Sequence, residues 1–466
     1  MERTAPSCAG ASPTLAMARQ AAARPAVEVA EFDGRPSFLQ EQWWRWVARL
    51  ESEERHFPEL TIQIYLSFPD TPPAMVEDAL RNVVARHDSL RYRFLPADGA
   101  LRASLNRLDN FNIRRFKVGG NAPRETAEDL RAAFFSQPVP ANGEWLTKAA
   151  IIRRPGATDA LMAINHIVAD ATSNRMLELE ILRHVLNRGD DRPRPRQYAE
   201  YVQWERDWFG KQAGTLTDYW RARPGDFRLL SPSTGRPLQW APGTKQSCKS
   251  LLPAGWRSEI RKCAGRLRTT PFLVYLTALA LSIYRWSGQE RFLMRNIGDG
   301  RLQNSALLPM VGLLTVADPI EAEIEAGGDF ERTLRSLEAR YRSSLGLRLP
   351  DIHAFPPGLG VTGSEIADVE NNFAVNINYM PSSAAAPDLE FFDDGDSASG
   401  ETWPPKVYRA PAEERVYSVS PLHLFVTEGK ASTVVDFKMH AGMLDTEDQN
   451  AIINAFFDCL ASQLKK

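Results

Sequence analysis

Ala160-Leu161-Met162-Ala163-Ile164-Asn165-His166-Ile167-Val168-Ala169-Asp170-Ala171-Thr172-Ser173 is the stretch on which the fold turns. Its first five residues are continuously apolar and too few to form a helix by themselves, so they read as a strand covered on both faces. From about Thr172 the period changes: Leu177, Ile181 and Val185, with Leu182 and Leu186 beside them, recur at helical spacing. The His166–Asp170 segment therefore joins a buried strand to a helix, a place where a base can be held fixed and still reach a substrate. Each residue carries two readings there. His166 is either such a base or a core histidine whose ring nitrogens meet backbone groups. Asp170 either serves a site or caps the helix by accepting its orphan N–H groups.

Upstream, Val76, Leu80, Val83 and Val84 form a helical apolar stripe that ends at Arg86-His87, and Leu90, Tyr92 and Phe94 alternate with Arg91 and Arg93 as in a strand. His87 then falls at a helix end, where the dipole favours a cation, and is not the candidate base. Trp43, Trp44 and Trp46 read as core-filling aromatics. Downstream, Phe373 to Tyr379 alternates as a strand, between two loops rich in Pro, Gly, Ser and Asp at Phe355–Gly363 and Ser382–Pro405.

A chain of 466 residues exceeds what one hydrophobic core usually serves, so two lobes are expected. Asn187 to Arg196, where prolines and charges interrupt the helical period, is the boundary: residues 1–30 read as a disordered tail, 31–190 as an N-terminal lobe with the His–Asp motif, and 191–466 as a C-terminal lobe. The hydrophobic share of 43% and charged share of 24% are ordinary for a soluble protein. Basic and acidic residues nearly balance, 56 against 58, which argues against nucleic acid or an anionic membrane as partner. The basic run Arg183–Arg196 is either a solvated linker or a surface for an acidic partner.

Cysteines at 8, 248, 263 and 459 lack disulfide or zinc spacing, and no metal site is expected. Arginines interrupt every apolar run before Ala30, and no stretch approaches the roughly 20 apolar residues of a membrane span, so the expected location is cytoplasmic. Gly358-Leu-Gly-Val-Thr-Gly363 spells G-x-G-x-x-G but follows Phe-Pro-Pro instead of a strand, so it is not read as a dinucleotide site. A nucleophile elbow, a zincin motif and a P-loop are all absent from the sequence.

Asn165-His166-x-x-x-Asp170-Ala171 resembles the His-His-x-x-x-Asp-Gly signature of the condensation domains of nonribosomal peptide synthetases, which share their fold with chloramphenicol acetyltransferase. Other blocks occur in the expected order. Pro36-Ser-Phe-Leu-Gln40-Glu-Gln-Trp-Trp44 is similar to the family's opening Ser-x-x-Gln block. Arg86-His-Asp-Ser-Leu-Arg-Tyr-Arg-Phe94 is similar to Arg-His-Glu-x-Leu-Arg-x-x-Phe, and Tyr198 to Phe209 to the block after the active-site helix. Gly300-Arg301 and Met310-Val-Gly312-Leu-Leu-Thr315 resemble the blocks Gly-Arg and Val-Gly-x-x-x-Asn-Thr, although the Asn is absent. Together they span roughly residues 36 to 460.

The resemblance implies an α/β fold of two chloramphenicol-acetyltransferase-like lobes in a V, with a tunnel between them. It implies that His166 takes or relays the proton of an attacking amine or hydroxyl, a role suited to a neutral imidazole near pH 7. It gives Asp170 a structural role, paired with an arginine, Arg301 in the first place and Arg86 in the second. Two positions depart from the signature. Asn165 stands for the first His, and its amide can still donate and accept the hydrogen bonds that hold the loop. Ala171 stands for Gly and adds a methyl where backbone or substrate comes close.

The expected function is that of a freestanding condensation enzyme. It would transfer an acyl or aminoacyl group from the phosphopantetheine thioester of a carrier protein, met in trans, to an amine or alcohol in natural-product biosynthesis. The chain itself is expected to bind no cofactor. The alternatives are an acyl-CoA-dependent acyltransferase of the same fold and an inactive recruitment scaffold.

Overall fold

The computed structural model describes residues 34–41, 43–44, 61–97, 100–118, 124–186, 193–221, 230, 245–252, 255–344, 375–381, 408–409, 421–429 and 432–465. The 1–30 segment, most of the 187–196 boundary, Trp46 and the two loops at 355–363 and 382–405 lie outside these residues.

The N-terminal half is built on β1 (Thr61–Pro69), α1 (Pro73–Arg86), the hairpin β2 (Tyr92–Ala97) and β3 (Ala100–Leu105), β4 (Ile113–Lys117), α2 (Arg124–Ser136), β5 (Thr147–Arg154), β6 (Ala157–Asn165) and α3 (Ala171–Val185). Four strands form a sheet in the order β1-β6-β5-β4, antiparallel except at β5–β4. The apolar run at 160–164 lies in β6, which is flanked by strands on both sides and buried from Thr158 to Asn165. Leu161 and Ala163 join Phe134 of α2 in one apolar cluster, and α1 and α3 pack on the sheet as well. Every side chain of this strand from Thr158 on is thus out of water, which removes the need for alternation.

α1 follows the stripe seen in the sequence, with Val76, Ala79, Leu80, Val83 and Val84 buried and His87 as its C-cap. Strand β2 starts only at Tyr92. Asp88–Arg91 instead forms a 3-10 turn, because the Asp88 carboxylate draws in Arg91 and Arg194 while its N–H donates to Gln197 Oε1 at 2.9 Å. Arg194, in the basic run, is therefore spent on an internal ion pair.

α4 (Tyr198–Arg221) follows, and then the C-terminal half: β7 (Lys245–Leu252), α5 (Trp256–Arg266), α6 (Pro271–Ser287), β8 (Arg291–Asp299), β9 (Thr315–Glu323), α7 (Phe330–Ser344), β10 (Val375–Met380), β11 (Tyr408–Arg409), β12 (Leu422–Glu428), β13 (Thr433–His440) and α8 (Thr446–Leu464). Its seven strands run in the order β11-β7-β13-β12-β10-β8-β9, with β10 parallel to both neighbours. α6 is apolar on all sides and buried along nearly its whole length, as such a helix must be. Thr270 caps its start ahead of Pro271, and Gly288 ends it at φ +73°. Leu276, Leu279, Phe437, Phe456 and Phe457 lie in the large core between this sheet and its helices.

α4 does not stay with the C-terminal half. Arg206 Nη2 donates to Pro36 O at 2.6 Å and Glu205 accepts the Phe38 N–H at 2.9 Å, so the helix clamps the segment that opens the described chain.

Candidate functional site

The backbone after β6 makes a single 3-10 turn, His166–Val168, before α3 begins. Asn165 holds this turn from both ends. Its Oδ1 accepts the Ile167 N–H at 2.9 Å, and its Nδ2 donates to Val139 O at 2.6 Å. The amide is 1% exposed, and it supplies both the acceptor and the donor that the turn needs.

A second support comes from the opening block. Gln40 donates its N–H to Ser37 Oγ and accepts the Ser37 N–H, each at 3.1 Å, which is a capping box. Its Nε2 then reaches Ile167 O at 2.9 Å. Thus the spacing Ser-x-x-Gln both starts a helix, present at residues 38–41 and 43–44, and fastens it to the His166 turn. Trp43 on this helix lies against His166 in a tilted ring pair, with ring centroids 4.8 Å apart and planes inclined by 30°. Trp44 instead lies 6.1 Å from Phe94. Of the three tryptophans expected to fill the core, Trp43 and Trp44 are both half-buried, and Trp43 is set against His166. Its position relative to His166 depends on tertiary hydrogen bonds that no local period reveals. His166 itself is half-buried.

Asp170 is both of the things the sequence offered. It caps α3, Oδ1 accepting the Ser173 N–H at 2.8 Å, and Oδ2 takes Arg301 Nη1 at 2.8 Å and the Leu314 N–H at 2.9 Å. The Ser173 hydroxyl lies 2.8 Å from Oδ1 and 2.9 Å from Gly312 O, and it receives the Gly312 N–H at 3.0 Å. Every acceptor position of the carboxylate faces a donor of the scaffold, so Asp170 has none to offer a substrate or the His166 ring. Burial by itself pushes the carboxyl up; the charge and hydrogen bond of Arg301, with the Ser173 donors, overcome this and hold it below the usual range.

Arg301 is 1% exposed, and its five donors find five acceptors. Nε meets Met310 O at 2.9 Å; Nη1 meets Asp170 and, at 3.0 Å, Asp299; Nη2 meets Ser173 Oγ at 2.8 Å and Gly312 O at 3.3 Å. Thr172 Oγ1 adds a bond to Asp299 Oδ2 at 2.8 Å. Ser173, Thr172 and Asp299 were not singled out in the sequence. The Asp170-x-x-Ser173 spacing, an acidic cap with a hydroxyl at N3, was the one signal available.

The second choice of partner, Arg86, is corrected. Its Nε lies 3.5 Å from Glu180 and its Nη2 donates to Pro193 O at 2.8 Å, while His87 beside it meets Glu180 Oε2 at 2.7 Å. The end of α1 crosses the middle of α3, and ten residues of helix separate Glu180 from Asp170 by roughly 15 Å. Ala171 occupies the first turn of α3 with an exposed side chain, and it is not among the described residues with positive φ. Its backbone therefore does not require glycine, and its methyl points away from the core.

The remaining blocks also meet here. A Cβ on Gly312 would fall 2.0 Å from Tyr198 Cδ2, and one on Gly300 2.6 Å from Leu314 O, so both glycines permit close approach. The Tyr198 hydroxyl donates to Leu313 O at 2.7 Å, since a carbonyl only accepts, and shares the 3.0 Å contact with Ser37 Oγ. Burial and the nearby Glu205 push its ionisation far up, which keeps the proton in place.

The sequence matches the model of the condensation domain over residues 37–346. The chain belongs to the condensation-domain family. It is similar to a solved condensation domain that mediates chain release from the enacyloxin polyketide synthase, with 29% identity and a TM-score of 0.76 over 94% of this chain and 84% of that one. The fold is thus the two-lobed, chloramphenicol-acetyltransferase-like architecture of that family. Among curated relatives, phosphinothricin tripeptide synthetase PhsC of Streptomyces viridochromogenes is 28% identical over 312 residues, 63% of this chain. The bassianolide nonribosomal cyclodepsipeptide synthetase of Beauveria bassiana is 24% identical over 298 residues, 62% of this chain. The chain spans 28% and 9% of the lengths of these two synthetases. A condensation-type role follows from this membership.

Proposed function

We propose that this chain transfers an acyl or aminoacyl group from the phosphopantetheine thioester of a carrier protein to an amine or hydroxyl acceptor, with His166 handling the acceptor proton. One observation carries the reading. The turn that bears His166 is fixed by Asn165 and Gln40, its ring is partly open, and the neighbouring carboxylate is saturated by the scaffold. The imidazole is then the group in this segment that can accept a proton near pH 7.

In this reading the acceptor N–H or O–H gives its proton to the imidazole as the heteroatom attacks the thioester carbonyl. A C–N or C–O bond forms. The C–S bond then breaks, and the leaving thiolate takes the proton back from the imidazolium, so no net proton is consumed. A covalent acyl-enzyme is not part of this scheme, because the acceptor itself is the nucleophile. The similarity to a domain that mediates chain release supports an acceptor that carries the product away from the carrier.

The test is intact-protein mass spectrometry of an acylated carrier protein incubated with this chain and a panel of amines and alcohols, with the matching acyl-CoA in parallel. Loss of the acyl group from the carrier together with one new amide or ester is the expected result. Turnover of acyl-CoA alone would replace the carrier by free coenzyme A thioesters. Carrier binding without turnover on any acceptor would leave a recruitment role.

A further inference from the structure

We propose that Trp43 is a positioning residue for His166, holding the imidazole in one orientation and stabilising it once it has taken a proton. This rests on the reading of His166 as the proton-handling group.

The helix that carries Trp43 is pinned at its start by the Ser37–Gln40 capping box, and its first N–H, that of Phe38, is held by Glu205 at 2.9 Å. Gln40 Nε2 ties the same helix to Ile167 O, one residue from His166. Trp43 follows Gln40 by three residues and so shares its helix face, which is the face turned to the His166 turn. These contacts hold the helix on which Trp43 meets His166 at 4.8 Å.

An indole held 4.8 Å from the imidazole and inclined to it by 30° obstructs rotation about the terminal side-chain torsion, which is otherwise broad and two-fold. When the imidazole becomes imidazolium, the π face of a tryptophan attracts the cation more strongly than any other side-chain ring. Trp44, one residue on and about 100° round the helix, faces Phe94 instead, with ring centroids 6.1 Å apart.

The experiment uses the full chain labelled with [13Cε1]-histidine, whose seven histidines give a countable spectrum. His166→Ala identifies the His166 signal. The indole ring current shifts this signal; Trp43→Leu should remove the shift and Trp43→Phe should keep part of it. In the carrier thioester assay, Trp43→Leu should lower kcat by roughly three- to tenfold with KM changed less than about twofold, and Trp43→Phe should recover most of the loss. An unmoved signal in Trp43→Leu, an unchanged kcat, or an effect on KM alone would overturn the proposal. The two ideas separate cleanly. An inactive His166→Ala beside a fully active Trp43→Leu sinks only the role of Trp43, whereas an active His166→Ala removes the proton-handling reading and this inference with it.

Discussion

At the scale of single residues, Asp170 and Arg301 define what the signature aspartate does. The carboxylate meets donors from Ser173, Arg301 and Leu314, and the guanidinium spends all five of its donors on the same junction. Asp170→Asn should therefore cost about 3–5 kcal/mol in urea unfolding, since it leaves a buried guanidinium partly uncompensated. Loss of turnover in that variant would track loss of folded protein. The pH dependence has a definite sign. The folded carboxyl lies below its unfolded value of about 3.9, so its stabilisation is full at neutral pH and is lost as pH falls through the lowered value. The aspartate and its first-choice arginine were legible through the family blocks. Ser173 and Trp43 were not, because a serine in a first helical turn and a tryptophan in an aromatic helix each have a commoner structural use.

At the scale of elements, the strand-to-helix change at 160–173 was legible from periodicity alone, with a helix start one residue earlier than expected at Ala171. The partner of each element was not legible. α4 reaches back to the opening segment through Glu205, whose carboxyl is pushed up by burial to about 7 in spite of the Phe38 N–H and Tyr201 hydroxyl donors. Because the folded value exceeds the unfolded one of about 4.3, this group's contribution is full below that pH and is lost as pH rises through 7. Melting temperature should accordingly fall between pH 5.5 and 8 in the native chain and fall less in Glu205→Gln, which keeps an acceptor for Phe38 without a charge. A second element-level contact is that of Gly312 with the Tyr198 ring. Gly312→Ala should destabilise by about 1–3 kcal/mol or more, measured by denaturant unfolding, because the added methyl meets a packed ring instead of the end of a flexible chain.

At the scale of the molecule, the sheet of β1, β6, β5 and β4 and the seven-stranded sheet are joined at the start of α3. Thr172 bonds Asp299, Ser173 bonds Gly312, and Asp170 bonds Arg301 and Leu314. Blocks more than a hundred residues apart in sequence thus converge on one buried polar junction, and His166 stands at its margin. Their order along the chain identified the family and its fold; their convergence was invisible, since hydrogen bonds across 131 or 144 residues leave no trace in a local pattern. In the proposed function His166 is the working group and Asp170 the scaffold. Single-turnover transfer from an acylated carrier protein tests this division of labour, followed by intact mass for the native chain, His166→Ala and Asp170→Asn, each checked for folding by circular dichroism. The expected outcome is a folded His166→Ala that holds the thioester unreacted, and an Asp170→Asn whose residual folded fraction still turns over. A folded His166→Ala that transfers the acyl group at the native rate would contradict it.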